Sequence, residues 1–129
     1  MFPRPMAIGL AVCENTIVAR ESGKVTLVNQ FRTLRFSHFP ALAPPFWVAA
    51  LLTGTTGSGM IRFEVVDLET LNTVHSFERQ AQFLDRFWEL QVLFRITRCQ
   101  FFAPGWFDFR LLVDSEIIAS RRVHVLARS

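Results

Sequence analysis

The sequence predicts an all-β fold, an antiparallel β-sandwich of immunoglobulin-like or C2-like type with about eight strands, in one domain over residues 1–129. Three observations predict it. Trp88, Leu90, Val92, Phe94 and Ile96 are apolar at every second position, and Phe107, Phe109, Leu111 and Val113 repeat the pattern after Pro104-Gly105. A period of two sends side chains alternately to core and solvent, which marks half-buried strands. Turn signals recur at sandwich-like spacing, and no long helical period competes with them. Half of the residues are hydrophobic, with 14 Phe, 3 Trp and no Tyr, a core-building composition. A small closed β-barrel is the alternative architecture.

Taken in order, Met6–Cys13 is a continuous apolar run that predicts a strand buried on both faces, interrupted by Glu14-Asn15. Its length is far below the roughly 18 residues that span a bilayer, and Val12 is not the small residue a signal cleavage site wants. The run is therefore expected to be a first strand, with the protein in the cytoplasm and no membrane association. Glu21-Ser22-Gly23-Lys24 predicts a tight turn leading into Val25–Phe31. Asn29 falls at an inward position, as a satisfied core amide or the marker of a bulge. Arg32–Pro45, with Pro40, Pro44 and Pro45, predicts a connecting loop pinned by Phe36 and Phe39. Phe46–Thr53 is a strand with Trp47, Ala49 and Leu51 opposite to Phe46, Val48, Ala50 and Leu52. The glycine-rich Thr53–Gly59 lacks the Gly-Lys-Ser/Thr ending of a phosphate loop and predicts a plain connection. Ile61, Phe63 and Val65 face inward from a strand paired through the Asp67–Asn72 turn with Thr73–Gln80. Phe77, Ala81, Leu84 and Trp88 fit the spacing of a short helical crossover, but the strength of the following alternation favours a strand ending in an irregular loop over Ala81–Phe87. Asp114-Ser115-Glu116 turns the chain into the last strand, Ile117–Leu126.

Several chemistries lack their residues. Cys13 and Cys99 have no CxxC spacing, and the histidines His38, His75 and His124 are single, so no metal or cofactor is expected. The two cysteines are expected to be free, buried thiols in a reducing compartment. Ser37 beside His38 and Ser120 near His124 lack the setting of a nucleophile, and the chain is expected not to be an enzyme. Asp67, Glu69, Asp108, Asp114 and Glu116 could gather Ca²⁺ in a C2-type sandwich, but their places at turns predict turn chemistry. The net charge is +3, and of 14 basic residues only Lys24 is not Arg. The arginines are scattered, and Arg121-Arg122 point to opposite faces of a strand, so nucleic-acid binding is expected to be weak at most.

The most suggestive feature is the aromatic corner around Pro104-Gly105. Trp106 has the opposite parity to Phe107, and Trp47 the opposite parity to Phe46, so both face away from the core. Trp47, Phe101, Phe102 and Trp106 are the candidate binding residues, for a protein partner or a second copy of the chain, with a glycan or other small ligand as the alternative.

The segments Glu21–Leu27, Phe39-Pro40, Leu52-Thr53-Gly54, Val65–Leu68 and Pro104–Asp114 together resemble a family of small, uncharacterised bacterial all-β proteins. Ser22 stands where that family usually has Thr, and Phe107 where Tyr is frequent. The resemblance implies a stand-alone cytoplasmic β-sandwich and carries no catalytic residues.

Overall fold

A computed structural model describes residues 4–128 and shows an all-β chain. Its strands, in chain order, are β1 (Met6–Val18), β2 (Val25–Gln30), β3 (Thr33–Phe36), β4 (Ala41–Leu42), β5 (Phe46–Thr53), β6 (Gly57–Asp67), β7 (Thr73–Phe83), β8 (Leu90–Ile96), β9 (Gln100–Phe101), β10 (Gly105–Val113) and β11 (Glu116–Ala127). β3, β4 and β9 are short pieces within segments expected as loops; the other eight are the expected sandwich strands. Among the described residues no helix is long and apolar enough to cross a membrane.

Two sheets divide the chain. The first has the order β2-β1-β5-β8 and the second β3-β11-β10-β6-β7. All pairs within them are antiparallel except β3 with β11. Val48, Ala50, Leu52, Val92, Phe94 and Ile96 of the first sheet share one core with Ile61, Phe63, Val65, Phe107, Phe109, Leu111 and Val125 of the second. Phe109 binds the layers at the centre. Its ring lies 5.8 Å from Phe46 across the sheets and 5.6 Å from Phe63 on the neighbouring strand. Offset and edge-on ring pairs of this kind add to the burial that drives the packing.

The turn between β10 and β11 explains its sequence. Asp114 and Ser115 both have positive φ, 48° and 70°, as a two-residue hairpin turn requires. Asp114 is also tied to β6, donating its N–H to Met60 O and accepting the Met60 N–H on its carboxylate, each at 2.9 Å. Asp67 serves its own turn in the same way, accepting the Glu69 N–H at 2.9 Å. Turn chemistry thus accounts for both carboxylates.

Four expectations are corrected. β1 runs unbroken through Glu14-Asn15, and it is not buried on both faces: Met6 and Ile8 are 63% and 55% exposed, and burial is complete only at Val12 and Cys13. Only the inward face of the first sheet packs on the second, and at its start β1 also has a neighbour on one edge alone. β5 covers one side of β1 at Met6–Cys13, whereas β2 covers the other side only from Cys13 onward. Trp88 lies before β8 in a loop and is 56% exposed, so the inward alternation begins at Leu90. Asn29 is exposed with φ 56° and donates from its side-chain amide to Glu14 at 3.0 Å, so it marks an irregular point in the β1–β2 ladder and not a core amide. Arg32–Pro45 contains β3 and β4, although Phe36 and Phe39 do pin it, edge to face at 6.0 Å.

Phe109→Ala should lower unfolding stability by about 3–5 kcal/mol, because it opens a cavity between both sheets. Phe102→Ala, at a 61% exposed position, should change it by less than ~0.5 kcal/mol. Urea titrations of the two variants test the contrast; equal losses would place the centre of the core elsewhere.

Candidate functional site

The outer faces of the two sheets differ in chemistry. In the first sheet the outward positions form three cross-strand rows: Cys13–Trp47–Arg95, Ala11–Ala49–Leu93 and Gly9–Leu51–Gln91. Arg95 is the one charged residue among these positions. Gly9, Ala11 and Ala49 leave a shallow groove of about 270 Å³, walled also by Ile8, Leu27 and Leu51. A Cβ added at Gly9 would meet nothing within 4 Å, so the groove, not local crowding, is what this glycine leaves open.

At one end the face runs into the β7–β8 loop. Thr53 Oγ1 donates to Trp88 O at 3.1 Å, and the Gly54 N–H donates to Arg86 O at 3.0 Å. That loop exposes Leu84, Phe87 and Trp88, with Phe87 79% accessible. Met6, also exposed, pairs with Thr53 across β1 and β5. Large apolar side chains therefore continue from the sheet face onto its rim.

The second sheet presents the opposite surface. Outward-facing Glu78, Arg62, Glu64, Arg110, Asp108 and Arg122 spread across β7, β6, β10 and β11 with alternating sign. Arg62 pairs with Glu78 at 3.1 Å and Arg110 with Asp108 at 2.8 Å. Such pairs keep a sheet face wet and add little stability each.

The candidate binding residues fall in separate places. Trp47 lies half-buried on the apolar outer face, between Cys13 and Arg95. Phe101 is fully buried; its ring packs edge-on against Phe107 at 4.9 Å and stacks on Phe36 at 6.0 Å, so it belongs to the core and touches no partner. Phe102 is exposed beside it. Trp106 does face outward, 51% exposed, but its indole lies flat on His124 with centroids 4.0 Å apart, which covers one face of the ring and half-buries the histidine. Trp47 and Trp106 sit on opposite sheets and cannot share a ligand. The exposed Leu84–Trp88 loop was not singled out from the sequence, because Trp88 fits the period of β8 by number alone.

The titratable groups follow their burial. Cys13 and Cys99 are both free and buried. Burial pushes the Cys99 thiol up to about 12 and raises that of Cys13 against the opposing pull of the Val28 and Asn15 backbone. A thiol held protonated is a poor nucleophile. His75, on β7 at the position opposite Val65, is lowered below 6.5 by partial burial. His38 is exposed in its loop. Neither Ser37 nor Ser120 is hydrogen-bonded to a histidine among the described residues.

Two expected outcomes follow from these groups. A thiol reagent at pH 8 should label neither cysteine of the native protein within minutes and both in denaturant, counted by mass spectrometry. For His75 the unfolded chain takes up a proton near pH 6.5 that the folded chain refuses until the pH is lower. Its contribution to stability is whole above that value and is lost as the pH falls below it. Tm should drop between pH 7.5 and 5, and His75→Gln should shrink the drop; an identical drop in the variant would assign it to other groups.

The model of a family of unknown function (DUF6941) matches residues 9–126. No curated protein matches the chain.

Proposed function

Because this chain belongs to the family of unknown function DUF6941, we propose its role from its surfaces: it is a non-enzymatic assembly module that associates with a second copy of itself through the outer face of the β1-β5-β8 sheet. The observation that carries this reading is the contrast between the two outer faces. One is a charge-paired, wet surface, whereas the other presents a single charge, Arg95, beside Trp47, Leu51 and Leu93 and a groove over Gly9, Ala11 and Ala49. A contiguous apolar face of this kind, half-buried at Trp47, Leu51 and Leu93 and exposed at Met6, Phe87 and Trp88 on its rim, marks an interaction site.

A second copy is favoured as the occupant because bulk and hollow lie on the same patch. A two-fold interface brings each patch onto itself, so a protruding side chain must find a hollow a few residues away. Trp47 and Leu51 flank Ala49 of the groove, each two positions from it along β5, and supply such protrusions. The exposed Phe87 and Trp88 extend the patch with the residue types that dominate interface energetics.

Sedimentation of the purified chain at tens of micromolar should show a dimer. Leu51→Glu, which places a charge on the outer face without entering the core, should shift it to monomer while leaving Tm within a few degrees. A wild-type chain that stays monomeric at that concentration would overturn the reading.

A further inference from the structure

The stagger of β1 leaves an opening on the opposite flank of the sandwich. On the side away from β5, Met6–Val12 has no strand partner, since the ladder with β2 begins at Cys13. Facing it, β11 is paired with β10 on one side, but on the other side β3 covers only His124–Ala127. Among the described residues, Ile118–Val123 therefore has no strand partner on that side, and Glu116 beyond it is paired through its side chain with Arg4 at 2.9 Å. The two edges border a cleft of about 520 Å³.

The direction of the main chain is settled by neighbouring bonds. The His124 N–H donates to Arg32 O at 2.9 Å on the β3 side. By the two-residue repeat of a strand, the N–H and C=O groups of Arg122 and Ser120 face the same way, into the cleft. They offer a second strand the bonds that β3 takes further along. The edge from Arg122 to Ile118 spans about 14 Å, enough for a four- or five-residue extended segment, and ends where the β10–β11 register shifts opposite Leu111 and Leu112.

The charge of the cleft selects its occupant. Arg32, Arg121 and Arg122 all line it, and among the described residues no carboxylate does. Among the described residues none of the three is ion-paired. Arg121 is spoken for in part, because its guanidinium donates to Leu10 O at 3.0 Å across the cleft floor. Arg32 and Arg122 are exposed. The chain leading into β3 brings Arg32 to the cleft, where Arg121 points inward across the floor and Arg122 lies at the outer rim. Apolar side chains, Ala7, Leu10, Ile118 and Ala119, complete the lining.

We propose that this cleft binds an extended acidic peptide segment of a protein partner, added as a strand beside β11 at Ile118–Arg122, with its outward carboxylates on Arg32 and Arg122. Strand addition takes affinity from main-chain bonds and selectivity from alternate side chains, and here the selectivity is for negative charge. The site rests on the reading of the protein as an interaction module and shares Gly9 and Leu10 with the apolar groove, but its charge and its main-chain edge come from Arg32, Arg122 and β11, which the self-association face does not use. Partner capture and self-association are thus separable.

The test uses the full chain and a fluorescein-labelled peptide of alternating Glu and Val, seven residues long, in an anisotropy titration. Saturable binding is expected, weakened at least tenfold by R32E/R122E, and at least tenfold by N-methylation of alternate peptide amides. The Ser120 and Arg122 amides should gain hydrogen-exchange protection on binding. Circular dichroism and an unchanged Tm confirm that the variant, altered only at exposed side chains, remains folded. Absence of binding, equal binding of the same peptide with Lys in place of Glu, or indifference to N-methylation would each overturn the proposal. The last outcome would leave only nonspecific charge attraction. A chain that is monomeric in sedimentation yet binds the peptide would refute self-association and keep this site.

Discussion

The register of β10 is the constraint on which the rest of the molecule depends. This strand lies between β6 and β11, and its inward side chains Phe107, Phe109, Leu111 and Val113 are all nearly inaccessible. A slip of one residue would carry all four to the wet outer face and bring Asp108 and Arg110 inside. The Asp114–Ser115 turn and its two bonds to Met60 hold the register at one end. At the other end the Leu68 N–H donates to Trp106 O at 3.0 Å. With β10 so held, Phe109 meets Phe46, and the first sheet finds its place over the second.

Much of this was legible because alternation is a local property. Phe46–Thr53, the inward set Ile61, Phe63 and Val65, and the β10–β11 hairpin follow from period and turn chemistry within a dozen residues. What escaped was decided at long range. β3 is a strand only because His124–Ala127 lies beside it, roughly ninety residues on, and three prolines nearby gave Arg32–Pro45 the composition of a loop. Trp88 has the parity of an inward residue, yet its place is set by Thr53 and Gly54 holding the carbonyls of the preceding loop. Phe101 and Phe102 are chemically identical, and only the pairing of β9 with β4 decides which of them is buried.

Two arginines at inward-parity positions close the sandwich along its flanks. Arg79 on β7 lies 4.7 Å over the Phe94 ring and reaches Leu93 O at 3.5 Å. Arg121 on β11 reaches Leu10 O on the other flank. Each spans from one sheet to a carbonyl of the other, a task that a long side chain with several donors performs better than any apolar residue. The flanks still differ. On the β7–β8 side Phe77 packs 5.3 Å from Phe94 and fills the seam, whereas on the β1–β11 side a cleft remains. The asymmetry traces to the stagger of β1.

The parallel pairing of β3 with β11 also sets a schedule for synthesis. Thr33–Phe36 leaves the ribosome early, but the strand it lies beside, His124–Ala127, is made some ninety residues later. Hairpins such as β6–β7 and β10–β11 can close as they emerge, since their loops are short. β3 cannot. Until His124–Ala127 is available, Leu34 and Phe36 lack the strand beside which they pack against the core. The nascent chain must carry that apolar segment uncovered while the intervening ninety or so residues are made, a window in which chaperone contact or misassembly acts on it.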